Sequence, residues 1–171
     1  MTLLNIICKI YLTVIRGTPV LVQLMIFYYC IFVAPDTSKV FVAVMAFGIN
    51  SGAYVAEIVR SGIMSIDKGQ TEAGRSLGFN HVQTMFYIII PQALKNVLPA
   101  LSNEFIVLLK ETSVAGYIGI QDLTKGGDII RSRTFEAFYP LFAVALIYLV
   151  LVMILTFLVS RLERRLRNSE H

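Results

Sequence analysis

Apolar residues run along this chain in blocks, separated by polar joints marked with glycine and proline, and four of the blocks read as membrane segments. The first covers residues 21–34, after Arg16-Gly17-Thr18-Pro19, where Pro19 suits a first helical turn and Thr18 an N-cap. It is short against the roughly 20 apolar residues of a spanning helix, so it tilts or begins at the interface. Pro35-Asp36-Thr37-Ser38 makes a turn. The second block, residues 40–58, ends at Arg60 and is interrupted by Asn50, Ser51, Gly52 and Tyr54. Polar and small residues at that depth face protein or a pathway, not lipid. The third, residues 100–116, follows Pro91 and Pro99 and carries Ser102, Asn103, Glu104, Lys110, Glu111, Thr112 and Ser113. It makes sense as an inward-facing helix of an assembly. Residues 119–137, with Gly126-Gly127, read as a polar loop, and residues 140–159 as a continuously apolar span.

Between the second and third blocks lies a polar hairpin, residues 61–92. Asp67 can cap a helix start, with Gln70 reaching back as in a capping box. A helix over 68–77 then places Ile66, Gly69, Ala73 and Leu77 on one face at spacings of three and four. Gly69, Ala73 and Gly74 are small, so a partner surface can come close. Gly78 suits the left-handed position that ends such a helix. Asn80 caps a second helix, with Gln83 three residues on, and Pro91 marks its end. The first helix is too short to stand alone and must pack against something. An amphipathic helix lying on the bilayer is the plain alternative, but bulky apolar residues and lysines are few.

Composition agrees with the blocks. Of the 171 residues, 56% are hydrophobic and only 15% charged, against about one quarter charged in a soluble domain. This is the composition of an integral membrane protein. With no Trp, any aromatic belt is built from Tyr and Phe. Cys8 and Cys30 form no CxxC pair and read as apolar fillers. The net charge of +4 gives no nucleic-acid face, since much of the excess lies in the C-terminal RLERRLR, which suits lipid head groups. With the hairpin and C-terminus inside, ten of the 15 lysines and arginines fall inside, four outside (Lys39, Lys125, Arg131, Arg133), and Lys110 lies within the membrane. That asymmetry follows the positive-inside rule and puts both chain ends inside. No cleavable signal peptide is visible, because residues 1–15 lack a basic start and a small-residue cleavage site.

There is no phosphate loop, H-E-x-x-H or G-x-G-x-x-G in the sequence. His81 and His171 have no ligand-like neighbours, so no metal is expected. Glu72, early in its helix, suits the positive dipole end and a partner contact, or is a solvated charge. Arg75 pairs with a partner or is solvated. Asn50, Ser51, Tyr54 and Glu57 in one span, with Asn103, Glu104, Lys110 and Glu111 in another, form either a pathway lining or inter-helix hydrogen bonds and ion pairs. Lys110 can neutralise Glu104 or Glu111, and Glu57 lies one turn from Arg60.

Glu72-Ala73-Gly74, three residues, Gly78, nine residues and Ile88-x-Ile90-Pro91 resemble the EAA-x3-G-x9-I-x-L-P signature of bacterial ABC importer membrane subunits. Gly74 replaces the second Ala and Ile90 the Leu, with the register kept. The segments RGTPVLVQLMIFYY, NSGAYVAEIVRSGIMSIDKGQTEAGRSLG, PQALKNVLPALSNEFIVLLKETSVAGYIG and YLVLVMILTFLVSRLERRLR are similar to blocks of polar amino-acid ABC permeases, and together cover almost the whole chain. The resemblance implies an all-α polytopic type I importer transmembrane domain over residues 1–171, with a cytoplasmic coupling hairpin. It implies that Gly69, Gln70, Glu72, Ala73, Gly74, Arg75, Leu77 and Gly78 meet an ATPase subunit. The expected partners are an ATPase dimer that binds ATP and Mg, a second permease subunit, an extracytoplasmic amino-acid-binding protein and lipid. No cofactor is expected in this chain, and the location implied is the bacterial inner membrane. The family usually has five spans, so the four read here suggest that the first is missing. A self-contained secondary transporter or channel would want an internal repeat, and an intramembrane enzyme a nucleophile–base pair or metal ligands. Neither is visible.

Overall fold

The computed structural model describes residues 3–168, and it is helical almost throughout. Helix α1 (Leu3–Gly17) leads into α2 (Val20–Ile26), which continues as a π-helical turn over Phe27–Ile31. The two stand at 108° to each other. α3 (Lys39–Met64) precedes the short pair α4 (Lys68–Ser76) and α5 (His81–Thr84). A second π-helical turn, Met85–Ile89, joins α5 to α6 (Ile90–Glu111). A 3-10 segment (Thr112–Ile118), α7 (Leu123–Thr134) and α8 (Phe138–Asn168) complete the chain.

By length and apolarity, α3 and residues 138–161 of α8 can cross a membrane, and the bent pair α1–α2 is a third candidate. The expected first span therefore differs from the structure. Its helix breaks from α-geometry at Phe27, and an unexpected helix, α1, precedes the bend. Thr18 does not cap α2. Its hydroxyl donates back to the Val14 carbonyl at 2.8 Å, and Pro19 takes the cap position. The third block also shifts. α6 begins ten residues before Ala100 and carries Pro99 inside it, then tightens to 3-10 after Glu111. α6 is long enough to span, but its polar residues, among them Gln92, Lys95, Asn96, Asn103, Glu104, Lys110 and Glu111, make it less apolar than α3 or α8. The expected loop at 119–137 holds α7, capped by Asp122, whose carboxylate accepts from Lys125 N at 2.7 Å. Gly126-Gly127 lie inside that helix.

The core sits where α2, α3 and the 3-10 segment meet. Leu24, Ala43, Ala46, Phe47, Ala115 and Ile118 are buried together, with Val20, Phe27, Tyr28 and Leu108 packed around them. On α3 the buried residues fall at 42/43, 46/47, 50 and 53, the three-and-four spacing of one helix face. Further along α3, Gly62 is buried against α6, and a Cβ there would overlap Val97. Gly62→Leu should therefore destabilise the protein by about 1–3 kcal/mol. A second change, Val97→Ala, should recover part of the loss. The midpoint of thermal unfolding in detergent reads both. α8 offers the opposite surface: of its described side chains only Pro140 is buried. The side chains of Arg164, Arg165 and Arg167, part of the basic tail, lie outside the described residues, as does everything after Asn168.

Candidate functional site

α4 is held from both ends of its own sequence. Asp67 caps it by accepting from Gly69 N at 2.6 Å. The reciprocal half of the expected capping box is not made, because Gln70 instead accepts from Gln92 at 3.1 Å. At the other end Gly78 takes φ 83°, a left-handed conformation open to glycine at little cost. The Gly78 N–H then reaches Arg75 O at 2.9 Å and the Phe79 N–H reaches Gly74 O at 3.0 Å. That two-bond closure is a Schellman motif. Asn80 and Gln83 do form the expected capping box on α5, at 2.9 Å in each direction.

The inner edge of α4 is Gly74, the position where the signature carries alanine. A Cβ at Gly74 would lie 2.7 Å from Thr84 Cγ2 and 3.1 Å from Ile88 Cδ1. Gly74 is thus small for a contact within this chain, not for a partner, which corrects the sequence reading. Thr84 is buried, and its hydroxyl donates to Asn80 O at 3.0 Å. The outer face carries Gly69, Glu72, Ala73, Arg75 and Leu77, all exposed, Leu77 by 72%. Pro91 does not end the second hairpin helix. The π-turn before it carries the backbone through, with Ile90 N bonded to Met85 O, and the helix runs on as α6.

The polar residues of α3 and α6 divide into three groups. Asn50 is almost fully buried and donates to Gln23 Oε1 at 2.9 Å. Gln23 donates in turn to Ile15 O at 2.7 Å and to Thr18 O at 3.1 Å, so this pair fastens the α1–α2 bend to α3. Ser51 donates to Glu104 Oε1 at 3.1 Å, linking α3 to α6 through a half-buried carboxylate. Glu57 pairs with Arg16 at 3.5 Å and with Arg60, whose Nε lies 3.0 Å away. Arg16 also stands 5.5 Å from the Tyr54 ring. Asn103 and Lys110 are exposed on α6, and Glu111 is partly buried. No ion pair among the described residues joins Lys110 to Glu104 or Glu111, so the expected neutralisation is not made within the chain. On α7, Asp128 is gripped by Arg131 at 2.6 Å and Lys125 at 3.3 Å. Hydrogen bonds from Arg131 and then Lys125 hold its carboxyl below the usual range.

Sequence reasoning passed over Gln23, Thr84, Gln92 and Arg16. Gln23 had a signal, as an amide inside an apolar helix must find partners. The other three are recognised only by what they meet in space. Among the described residues, no cluster of His, Cys, Asp and Glu is arranged to hold a metal ion.

Known proteins share this architecture. The family model described as "Binding-protein-dependent transport system inner membrane component" matches residues 2–168. The chain is 40% identical over 166 residues to the "Glutamine transport system permease protein GlnP" of Escherichia coli (strain K12), covering 95% of this chain and 76% of that protein. It is also 40% identical over 166 residues to the "Arginine transport system permease protein ArtQ" of Bacillus subtilis (strain 168), covering 96% and 76%. A crystal structure of an amino acid ABC transporter with histidines superposes with a TM-score of 0.84 at 49% identity, over 92% of this chain and 74% of that one. An inward-facing MetNI methionine ABC transporter superposes with a TM-score of 0.73 at 18% identity, over 92% and 73%, a likeness of fold alone.

Proposed function

Because this chain belongs to the binding-protein-dependent transport system inner membrane component family, we propose that it is the permease subunit of an ATP-driven amino-acid importer and carries the coupling surface for a separate ATPase. The observation that carries this reading is the two-sided construction of α4. Its inner edge is locked by Gly74 against Thr84, while Glu72, Ala73, Arg75 and Leu77 are left exposed on its outer face. A nine-residue helix cannot hold itself in water. Its outer face is therefore preformed for a protein partner, the ATPase dimer, which supplies ATP and Mg. Hydrolysis belongs to that partner. A second permease subunit and an extracytoplasmic amino-acid-binding protein complete the assembly, in the bacterial inner membrane.

Glutamine and arginine, the substrates in the relatives' names, are the first to test. For the pathway, Ser51, Glu104 and Glu111 are the stronger candidates. Glu104 and Glu111 stand two turns apart on α6, and Glu104 keeps one oxygen free of Ser51. Tyr54 and Glu57 are engaged by Arg16 and Arg60, and Asn50 by Gln23 through its amide nitrogen with its buried Oδ1 left unpaired, and all three read as fasteners. The test is uptake of labelled L-glutamine and L-arginine into proteoliposomes holding the complete complex, with ATP inside and binding protein outside. ATP-dependent accumulation of an amino acid is expected. A complex that hydrolyses ATP on addition of binding protein yet accumulates none overturns the reading.

Orientation has its own check. A single cysteine at Ser76, in a Cys8→Ser/Cys30→Ser background, should resist an impermeant maleimide added to intact cells and react after lysis. Labelling from outside would reverse the topology and remove α4 from the ATPase side.

A further inference from the structure

The attachment of α4 to α6 crosses a weak place in the longer helix. Met85–Ile89 is π-helical, and Pro91, just beyond it, offers no N–H to the helix. Such turns and prolines are where helices bend. α4 is fastened on both sides of this point. Before the turn, Thr84 is buried against Gly74. After it, Gln92 Nε2 donates to Ile88 O inside the turn at 3.0 Å and across to Gln70 Oε1 on α4 at 3.1 Å.

Neither glutamine side chain is needed to build its own helix. Gln70 stands three residues after the Asp67 cap, where Gln83 stands relative to Asn80. Gln83 closes its capping box, whereas Gln70 reaches away from its own to meet Gln92. A local bond is replaced by one spanning 22 residues. Gln92 is half-buried, so the pair is partly shielded from competing water.

We infer that Gln70 and Gln92 are positioning residues that splint the π-helical turn. With α4 bridging it, a displacement of α4 is carried along α6 to Glu104 and Glu111. Without the bridge, the displacement is taken up as bending at Met85–Ile89. This rests on the proposed docking of α4 to the ATPase, and it assigns to two amides the delivery of that motion to one helix.

The test uses the assembled complex in proteoliposomes and reads labelled L-glutamine or L-arginine taken up per ATP hydrolysed. Gln92→Leu should keep binding-protein-stimulated hydrolysis near the parent level while uptake per ATP falls about ten-fold. Gln70→Leu should lower uptake per ATP by the same factor, and in that ratio the double variant should be no worse than either single one. Gln70→Glu keeps the acceptor for Gln92 and should keep the parent ratio. An unchanged ratio in Gln92→Leu overturns the inference. So does a parallel loss of hydrolysis and uptake in both leucine variants, since the pair would then serve only assembly. A parent complex with no stimulated hydrolysis sinks the docking reading itself, and this inference with it.

Discussion

Gly78→Val should lower binding-protein-stimulated ATP hydrolysis by about ten-fold or more while the chain still inserts into the membrane. At φ 83° the residue lies where L-side chains meet steric resistance, of about 1–2 kcal/mol for a left-handed helical residue. Valine is worse than most there, because its branched Cβ crowds the backbone. Relief requires φ to become negative, which swings the Gly78 and Phe79 N–H groups away from Arg75 O and Gly74 O. Those two bonds end α4 and aim the chain at the Asn80 cap. Losing them adds about 1 kcal/mol each. Nothing fills the space where a Cβ would sit, so the effect comes from backbone conformation and not from a clash. Gly78→Asn, which tolerates the left-handed region, should lose much less. Stimulated hydrolysis at the wild-type level in Gly78→Val would show that α4 need not end there to dock.

The parts of this site legible in the sequence are those whose cause is local. Asp67, Gly78, Asn80 and Gln83 each act on backbone groups within a few residues, and spacing alone placed them. Asn50 and Ser51 were visible as polar residues in an apolar run, but not their partners, Gln23 and Glu104, 27 and 53 residues away. The capping box at Asp67 failed for the same reason: a residue distant in sequence, Gln92, competes for Gln70. Pro91 misled because a proline normally closes a helix. The π-turn before it shifts the hydrogen-bond register, and the helix continues. α7 was hidden by Gly126 and Gly127, whose poor helix propensity is outweighed by the Asp122 cap and by packing against α8, where Thr124 meets Tyr148 at 3.4 Å. Gly74 could be read as small from sequence, but only the structure shows that Thr84 is the reason.

Expressed alone, this chain should aggregate or be degraded, and co-expression with the proposed ATPase and second permease subunit should rescue it. The surface gives two independent reasons. α6 leaves Asn103 and Lys110 exposed, with Glu104 and Glu111 only partly covered. A charge at the centre of a spanning helix costs about 2.5–3.5 kcal/mol on insertion scales. Within the chain Ser51 meets one oxygen of Glu104, and no described ion pair relieves Lys110. Meanwhile α1 turns Leu3, Leu4, Ile7 and Ile10 outward, each more than half exposed, beside Lys9 and Arg16. The polar side of α6 calls for protein or a water-filled path, and the apolar side of α1 for lipid or another helix. Lys110→Leu separates the two. It should raise the yield of the chain expressed alone, because an exposed charge without an ion-pair partner among the described residues is removed, and leave the apolar surface of α1 unchanged. Yield in cells and elution on size exclusion read the result. A monodisperse, stable monomer from the unaltered chain would mean that α6 is satisfied without a second subunit, and obligate assembly would have to be abandoned.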